Sequence, residues 1–197
     1  MICGKAEQRS IAMAADCLCR GGVAILPTDT VYGFSAIVDL AAAPRHFKAD
    51  ETIRRIKGRS ESKPFIQLIA RPEDLFLYTD DELPPELLAK WPGPLTIIVQ
   101  IKTPSPLVPY NPTVAFRCPG DEWLRSVLAL CNAPVYSTSV NRSGKAVLSH
   151  IADIRAEFER EVELIVCDGD KDGAKPSTIV SVENGKISVL RKGAVLV

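Results

Sequence analysis

Apolar positions recur at helical spacing over residues 6–20, at Ile11, Ala14, Ala15 and Leu18, and Gly21-Gly22 supplies a stop, so the chain is predicted to open on a helix. Residues 23–26 form a short apolar run ended by Pro27, and the following TDTVYGFSAIV reads as a polar turn that re-enters a strand at 35–38. Ile53 and Ile56 put one apolar face on a helix over 47–57, which Gly58 breaks, and 65–69 is then a strand. A helical stretch at 85–90 leads into WPGPLTIIVQI, where Pro92, Gly93 and Pro94 force a turn ahead of a β-rich run. Strands are predicted at 114–117 and 135–139, and helices at 122–131 and 151–158, with the polar loop 141–144 between them. Strands at 164–167, 178–182 and 187–190 close the chain, the last two joined by the hairpin signal Asn184-Gly185.

Strands and helices interleave without a strict βαβ repeat, which predicts a mixed α/β (α+β) fold: a twisted mixed β-sheet flanked by helices. At 197 residues and 46% hydrophobic content the chain suits one domain spanning 1–197. The 15 prolines cluster in turns and in the stretch 104–112, which reads as a surface loop.

Charge and cysteine usage narrow the function classes. With 24 basic and 24 acidic residues there is no global field to draw the chain to nucleic acid or to a membrane surface. Charges at Lys5, Glu7, Arg9, Asp16 and Arg20 interrupt any signal-peptide core, and no apolar stretch approaches the ~20 residues that span a bilayer, so a cytoplasmic protein is expected. The six cysteines include no C-x-x-C pair, and His46 and His150 have no acidic neighbours at ligand spacing. Neither a protein-bound metal nor serine-hydrolase chemistry is expected.

Residues suited to anions collect at the predicted strand ends: Thr28, Thr30, Lys57, Arg59, Lys63, Arg117, Ser139, Asn141, Ser177 and Arg191. In an extended chain the two-residue spacing of Thr28/Thr30 and Ser139/Asn141 puts both side chains on one face. Gly58 ends the helix between Lys57 and Arg59 and lets both cations turn toward one point, as a polyphosphate or carboxylate would need. Taken singly, KGRSESK also reads as a solvated helix end, STSVNRSG as an ordinary turn and PTDT as a turn or cap.

Read together and in order, PTDTVYG, KGRSESKP, WPGPLT, VAFRCP, STSVNRSG, PSTIV and VLRKGA resemble the YrdC-like family, specifically its threonylcarbamoyl-AMP synthases. The resemblance spans 22–194 and implies that fold. It further implies L-threonine, bicarbonate and ATP with Mg2+ as substrates, pyrophosphate and threonylcarbamoyl-AMP as products, and the tRNA threonylcarbamoyl-transfer machinery, or tRNA itself, as partner. The family's K-x-R and S-x-N tetrad falls on Lys57, Arg59, Ser139 and Asn141. By the same resemblance, threonine faces Thr28, Thr30, Lys57, Arg117, Ser139 and Ser177, and ATP faces Arg59, Lys63, Thr113, Asn141, Ser149 and Arg191. The chemistry implied needs reactants aligned and charge neutralised more than it needs a protein nucleophile.

Three positions depart from the family pattern: Ser60 stands where a proline usually follows K-x-R, Val140 adds bulk inside S-x-N, and CPGDEW alters the turn after Arg117. A second reading is a catalytically silent RNA-binding module using a basic strip of Arg54, Arg55, Lys57, Arg59 and Lys63. A third, the carbamoyl-transfer step of hydrogenase maturation, belongs to much longer chains. The end of this chain soon after RKGA implies the short, single-domain form.

Overall fold

The computed structural model describes residues 1–59, 64–183 and 186–197, so Ser60, Lys63 and the Asn184-Gly185 turn lie outside the described residues. In chain order the elements are β1 (Ile2–Gly4), α1 (Ser10–Cys19), β2 (Ala24–Leu26), β3 (Gly33–Ile37), β4 (Asp39–Leu40), α2 (Ala49–Lys57) and β5 (Ile66–Leu68). A 3-10 turn at Pro72–Leu77 precedes α3 (Pro85–Leu88), β6 (Leu95–Gln100), β7 (Leu107–Val108), β8 (Thr113–Arg117) and α4 (Glu122–Cys131). Then follow β9 (Val135–Ser139), α5 (Ile151–Phe158), β10 (Leu164–Cys167), β11 (Thr178–Glu183) and β12 (Lys186–Arg191).

Ten strands form one mixed sheet in the order β1-β10-β2-β3-β9-β5-β8-β6-β11-β12, and β4 pairs with β7 in a separate ribbon. The predicted mixed α/β architecture is therefore present. Helix 85–90 shrinks to the single turn of α3, hemmed in by Pro84 and by the Pro92-Gly93-Pro94 turn. The stretch 104–112, expected as loop, contributes β7.

Local chemistry explains the helix ends that bear on the site. In α2, Asp50 and Glu51 occupy the first turn and Arg54, Arg55 and Lys57 the last, complementing the helix dipole, and Gly58 ends it at φ 62°, a conformation that costs glycine nothing. The altered segment after Arg117 resolves into a turn and a cap: the Asp121 side chain accepts from Leu124 N and starts α4.

Alternation along the strands sorts side chains onto two faces. Phe34, Phe116 and Tyr136 meet Ile53 and Ile56 of α2 and Ile154 and Phe158 of α5 in the larger core, where Phe34 and Phe158 pack edge to face at 4.9 Å. Ile37, Leu68 and Val135 meet α1 and α4 on the other face. Beyond those two helices this second face opens into a groove.

Candidate active site

The groove is a cavity of about 360 Å3 whose lining includes Thr30, Arg59, Arg117, Ser139, Ser177 and Arg191. Among the described residues that line it there are three guanidinium groups and no carboxylate.

Arg117, at the end of β8 and 5% exposed, is fixed on three sides. It donates from Nη1 to Thr30 Oγ1 at 3.0 Å and from Nε to Gly93 O at 3.2 Å, and pairs through Nη2 with Asp29. Asp29 also accepts from Gly120 N at 2.8 Å, so its carboxylate ties the turn after Arg117 to the β2–β3 turn. Thr28 gives its one hydroxyl hydrogen to Val31 O (2.8 Å), so in the 2.9 Å contact between the two threonines Thr30 is the donor. Thr28 Oγ1 also accepts from Thr30 N, which leaves it engaged internally, whereas Thr30 retains a lone pair.

Opposite, the close of β12 folds onto the start of β11. Arg191 donates from Nε and Nη2 to Ser177 O at 3.0 and 2.8 Å and from Nη2 to Ser177 Oγ at 3.1 Å, and Ser177 Oγ lies 2.8 Å from Thr96 Oγ1. Gly193 makes this return possible, because a Cβ there would sit 2.3 Å from Pro176 O. Burial first, and then nearby Arg117, lower the Arg191 pKa.

The K-x-R residues divide. Lys57 is 3% exposed and lies behind the cavity wall. Its ammonium donates to Ser139 O, to Asn141 O at 3.0 Å and to Asn141 Oδ1 at 2.9 Å, and sits 5.2 Å from the Phe34 ring centroid. Burial, with Arg59 adding repulsion, pushes its pKa down to about 8. Arg59 faces the cavity, donating to Thr138 Oγ1 at 3.1 Å and Pro64 O at 3.0 Å, with its guanidinium 4.8 Å from the Phe65 centroid. Its Nε is buried and finds no partner among the described residues. Desolvation, then Arg54, lower its pKa.

The S-x-N segment is held by Lys57. Ser139 donates its hydrogen to Asn141 Oδ1 at 2.9 Å, and Asn141 Nδ2 is spent on Arg142 O and Lys145 O at 2.9 and 2.8 Å. Val140 is fully buried in the larger core, so its bulk points away from the groove.

The structure thus brings Thr28, Thr30, Arg59, Arg117, Ser139, Ser177 and Arg191 to one cavity, with Lys57 and Asn141 immediately behind it. Thr113 lines a different cavity, and Ser149 bonds Asp172 at 2.9 Å outside the groove lining. Lys63 lies outside the described residues. Sequence reasoning missed Asp29 and Thr96, although both stand inside motifs already singled out, PTDT and WPGPLT. It also missed that Asp170 and Asp172 come from a distant loop to within 4.8 Å of His150, a cluster exposed to solvent and satisfied by His150–Asp172 and Asp170–Ile151 hydrogen bonds.

Known proteins similar to this chain are numerous. A threonylcarbamoyl-AMP synthase of Pseudoalteromonas translucida is 29% identical over 92% of this chain and 97% of its own length. The human threonylcarbamoyl-AMP synthase is 29% identical over 89% of this chain, which spans 64% of that protein. The crystal structure of P. abyssi Sua5 complexed with L-threonine superposes with a TM-score of 0.83 at 30% identity, covering 98% of this chain and 57% of that one. The chain therefore spans less than two thirds of the human protein and of P. abyssi Sua5, and nearly all of the Pseudoalteromonas translucida relative. The family model for Sua5_yciO_yrdC, described as "Telomere recombination", matches residues 16–193, and with the groove residues in place this chain belongs to the Sua5/YciO/YrdC family.

Proposed function

We propose that this chain is an L-threonylcarbamoyladenylate synthase, a nucleotidyltransferase that joins L-threonine, bicarbonate and ATP into threonylcarbamoyl-AMP and pyrophosphate for modification of tRNA. One observation carries the reading: three arginines converge on a cavity that no described carboxylate lines, beside hydroxyl oxygens whose hydrogens are already committed. Thr30 and Ser139 can only accept from a ligand, which suits an amine, while Arg117 suits the carboxylate of the same amino acid. Arg59 and Arg191 remain for phosphate oxygens. The P. abyssi relative bound to L-threonine and the bacterial relative's name support the same substrate.

The reaction requires a threonine carbamate oxygen to approach the α-phosphorus of ATP. The chain's part is alignment and charge neutralisation, with Arg59 placed for the negative charge that develops on the phosphates. Lys57 acts through the S-x-N segment, holding Ser139 in place. The donor set does not fit a protein-held Mg2+, because no described residue that lines the groove is a carboxylate and Asp29, the partner of Arg117, is engaged by Arg117 and Gly120; Mg2+ therefore enters as the ATP complex. Cytoplasmic location and action of residues 1–197 as one domain complete the proposal, and among the described residues no helix is long and apolar enough to cross a membrane.

Of the basic strip in the RNA-binding alternative, Lys57 is buried, Arg54 and Arg59 are half-buried, Arg55 is exposed and Lys63 lies outside the described residues. Incubation with 13C-bicarbonate, L-threonine and Mg·ATP tests the proposal: the label should appear in an adenylate ester detected by mass spectrometry. Unlabelled adenylate, or none from folded protein, would refute it.

A further inference from the structure

Tyr32, inside the PTDTVYG motif, is fully buried among the residues that line the groove, and its polar atoms reach two further segments of the wall. Its carbonyl oxygen accepts from Val140 N at 3.2 Å, which ties the middle of S-x-N to the β2–β3 turn. Its hydroxyl donates to Gly169 O and accepts from Asp168 N, both at 2.7 Å. Burial pushes the phenol pKa up to about 12, so the hydroxyl keeps the hydrogen it donates. Buried and engaged on both sides by backbone, this hydroxyl is a structural tie and not a ligand contact.

The backbone it holds opens the strap 168–177 between β10 and β11, which supplies Ala174, Pro176 and Ser177 to the groove lining. Gly169 and Gly173 both stand at φ 68° with open space where a Cβ would be, so the strap's own residues do little to fix its course. That course is set from outside. Asp168 pairs with Lys5 at 3.1 Å and with Lys171 at 2.7 Å, Lys171 N donates to Ser149 O at 3.0 Å, and Tyr32 holds the first two residues. Of these holds only Tyr32 belongs to the groove lining. One buried side chain therefore joins three walls: Thr30 lies two residues before it, Ser139 adjoins Val140, and Ser177 ends the strap. We propose that Tyr32 is a positioning residue that sets the spacing of these three hydroxyls, and with it the fit of the groove to the methyl group of threonine.

The proposal rests on the threonine reading of the groove, and its test separates the two. Tyr32→Phe removes only the hydroxyl. The KM for L-threonine should rise about tenfold and that for ATP less than about threefold, while the threonine-over-serine ratio of kcat/KM should fall about fivefold. A role confined to stability would lower the Tm and leave that ratio unmoved. Hydrogen exchange needs no substrate: amides over 168–174 should exchange at least about tenfold faster in Tyr32→Phe. Lys5→Ala, outside the groove lining, frees Asp168 from its other side; it should shift ratio and exchange in the same direction by smaller factors, and it serves if Tyr32→Phe fails to fold. A wild-type protein that turns over no threonine would overturn the groove reading and the proposal together. Threonine-dependent turnover with an unmoved ratio in the variants, or with unchanged exchange over 168–174, would overturn the proposal alone.

Discussion

Ile66 and Gln67 are neighbours on β5, as are Ser137 and Tyr136 on β9, yet one step along either strand changes the chemical surroundings completely. Ile66 and Ser137 look into a groove with three arginines and no described carboxylate. Gln67 and Tyr136 look into a cavity that also holds Asp50, Glu51 and Arg54, with Arg54 and Asp50 3.8 Å apart. Phe65 and Pro64 are the shared wall. The groove's cations are held by neutral acceptors, apart from the Arg117–Asp29 pair, and so keep a net positive field for a polyanion. On the other face opposite charges stand side by side and that field is lost. Strand register alone maintains the separation, since a slip of one residue would exchange the two faces.

The contrast can be broken most severely at Arg59. Arg59→Ala removes a guanidinium that lines the groove and should lower kcat by about 10³-fold, with the circular dichroism spectrum unchanged. Next is Asp29→Ala, which frees the buried Arg117 guanidinium from its carboxylate. Urea denaturation should show a loss of about 3 kcal/mol, and the KM for threonine should rise more than that for ATP.

The pH dependence sharpens the division of labour between Lys57 and Arg59. With its folded pKa pushed down to about 8, Lys57 gives up a proton as pH rises above that value and can then fill only two of its three acceptors. The pH profile of kcat/KM should therefore carry a falling limb near pH 8, which Lys57→Arg should displace to higher pH. The stability contribution has the opposite sense: folding disfavours the charged amine below about pH 8, and this penalty is relieved as pH climbs from there toward the unfolded value of about 10.4. The smallest effect is expected at Ser149, whose hydroxyl is engaged by exposed Asp172. Ser149→Ala should change the KM for ATP less than about threefold, and a larger change would extend the nucleotide site beyond the groove.

Much of the fold was legible because long elements carry their own periodicity: α4, β9, α5 and β10 occupy the stretches their patterns indicated. β1 and β7 were not, since each is two or three residues long and exists only through pairing, β1 with β10 some 160 positions away. In the site, the two-residue spacings correctly paired Ser139 with Asn141 and Thr28 with Thr30, but they treated all four as facing the ligand. Spacing tells which side chains share a face; it does not tell which spend their hydrogen bonds on one another. Lys57 shows the same limit, because a K-x-R motif reveals two cations and only packing shows that one is buried beneath the other's site. Asp29 was hidden for the reverse reason, an acid whose value depends on Arg117, 88 residues away.

The central claim, that the groove activates threonine on ATP, is tested most directly by pyrophosphate release from Mg·ATP and bicarbonate with L-threonine present, omitted or replaced by L-serine. The account predicts release that depends on threonine and disappears in Arg59→Ala. Release that ignores the amino acid, or none at all from folded protein, would contradict it.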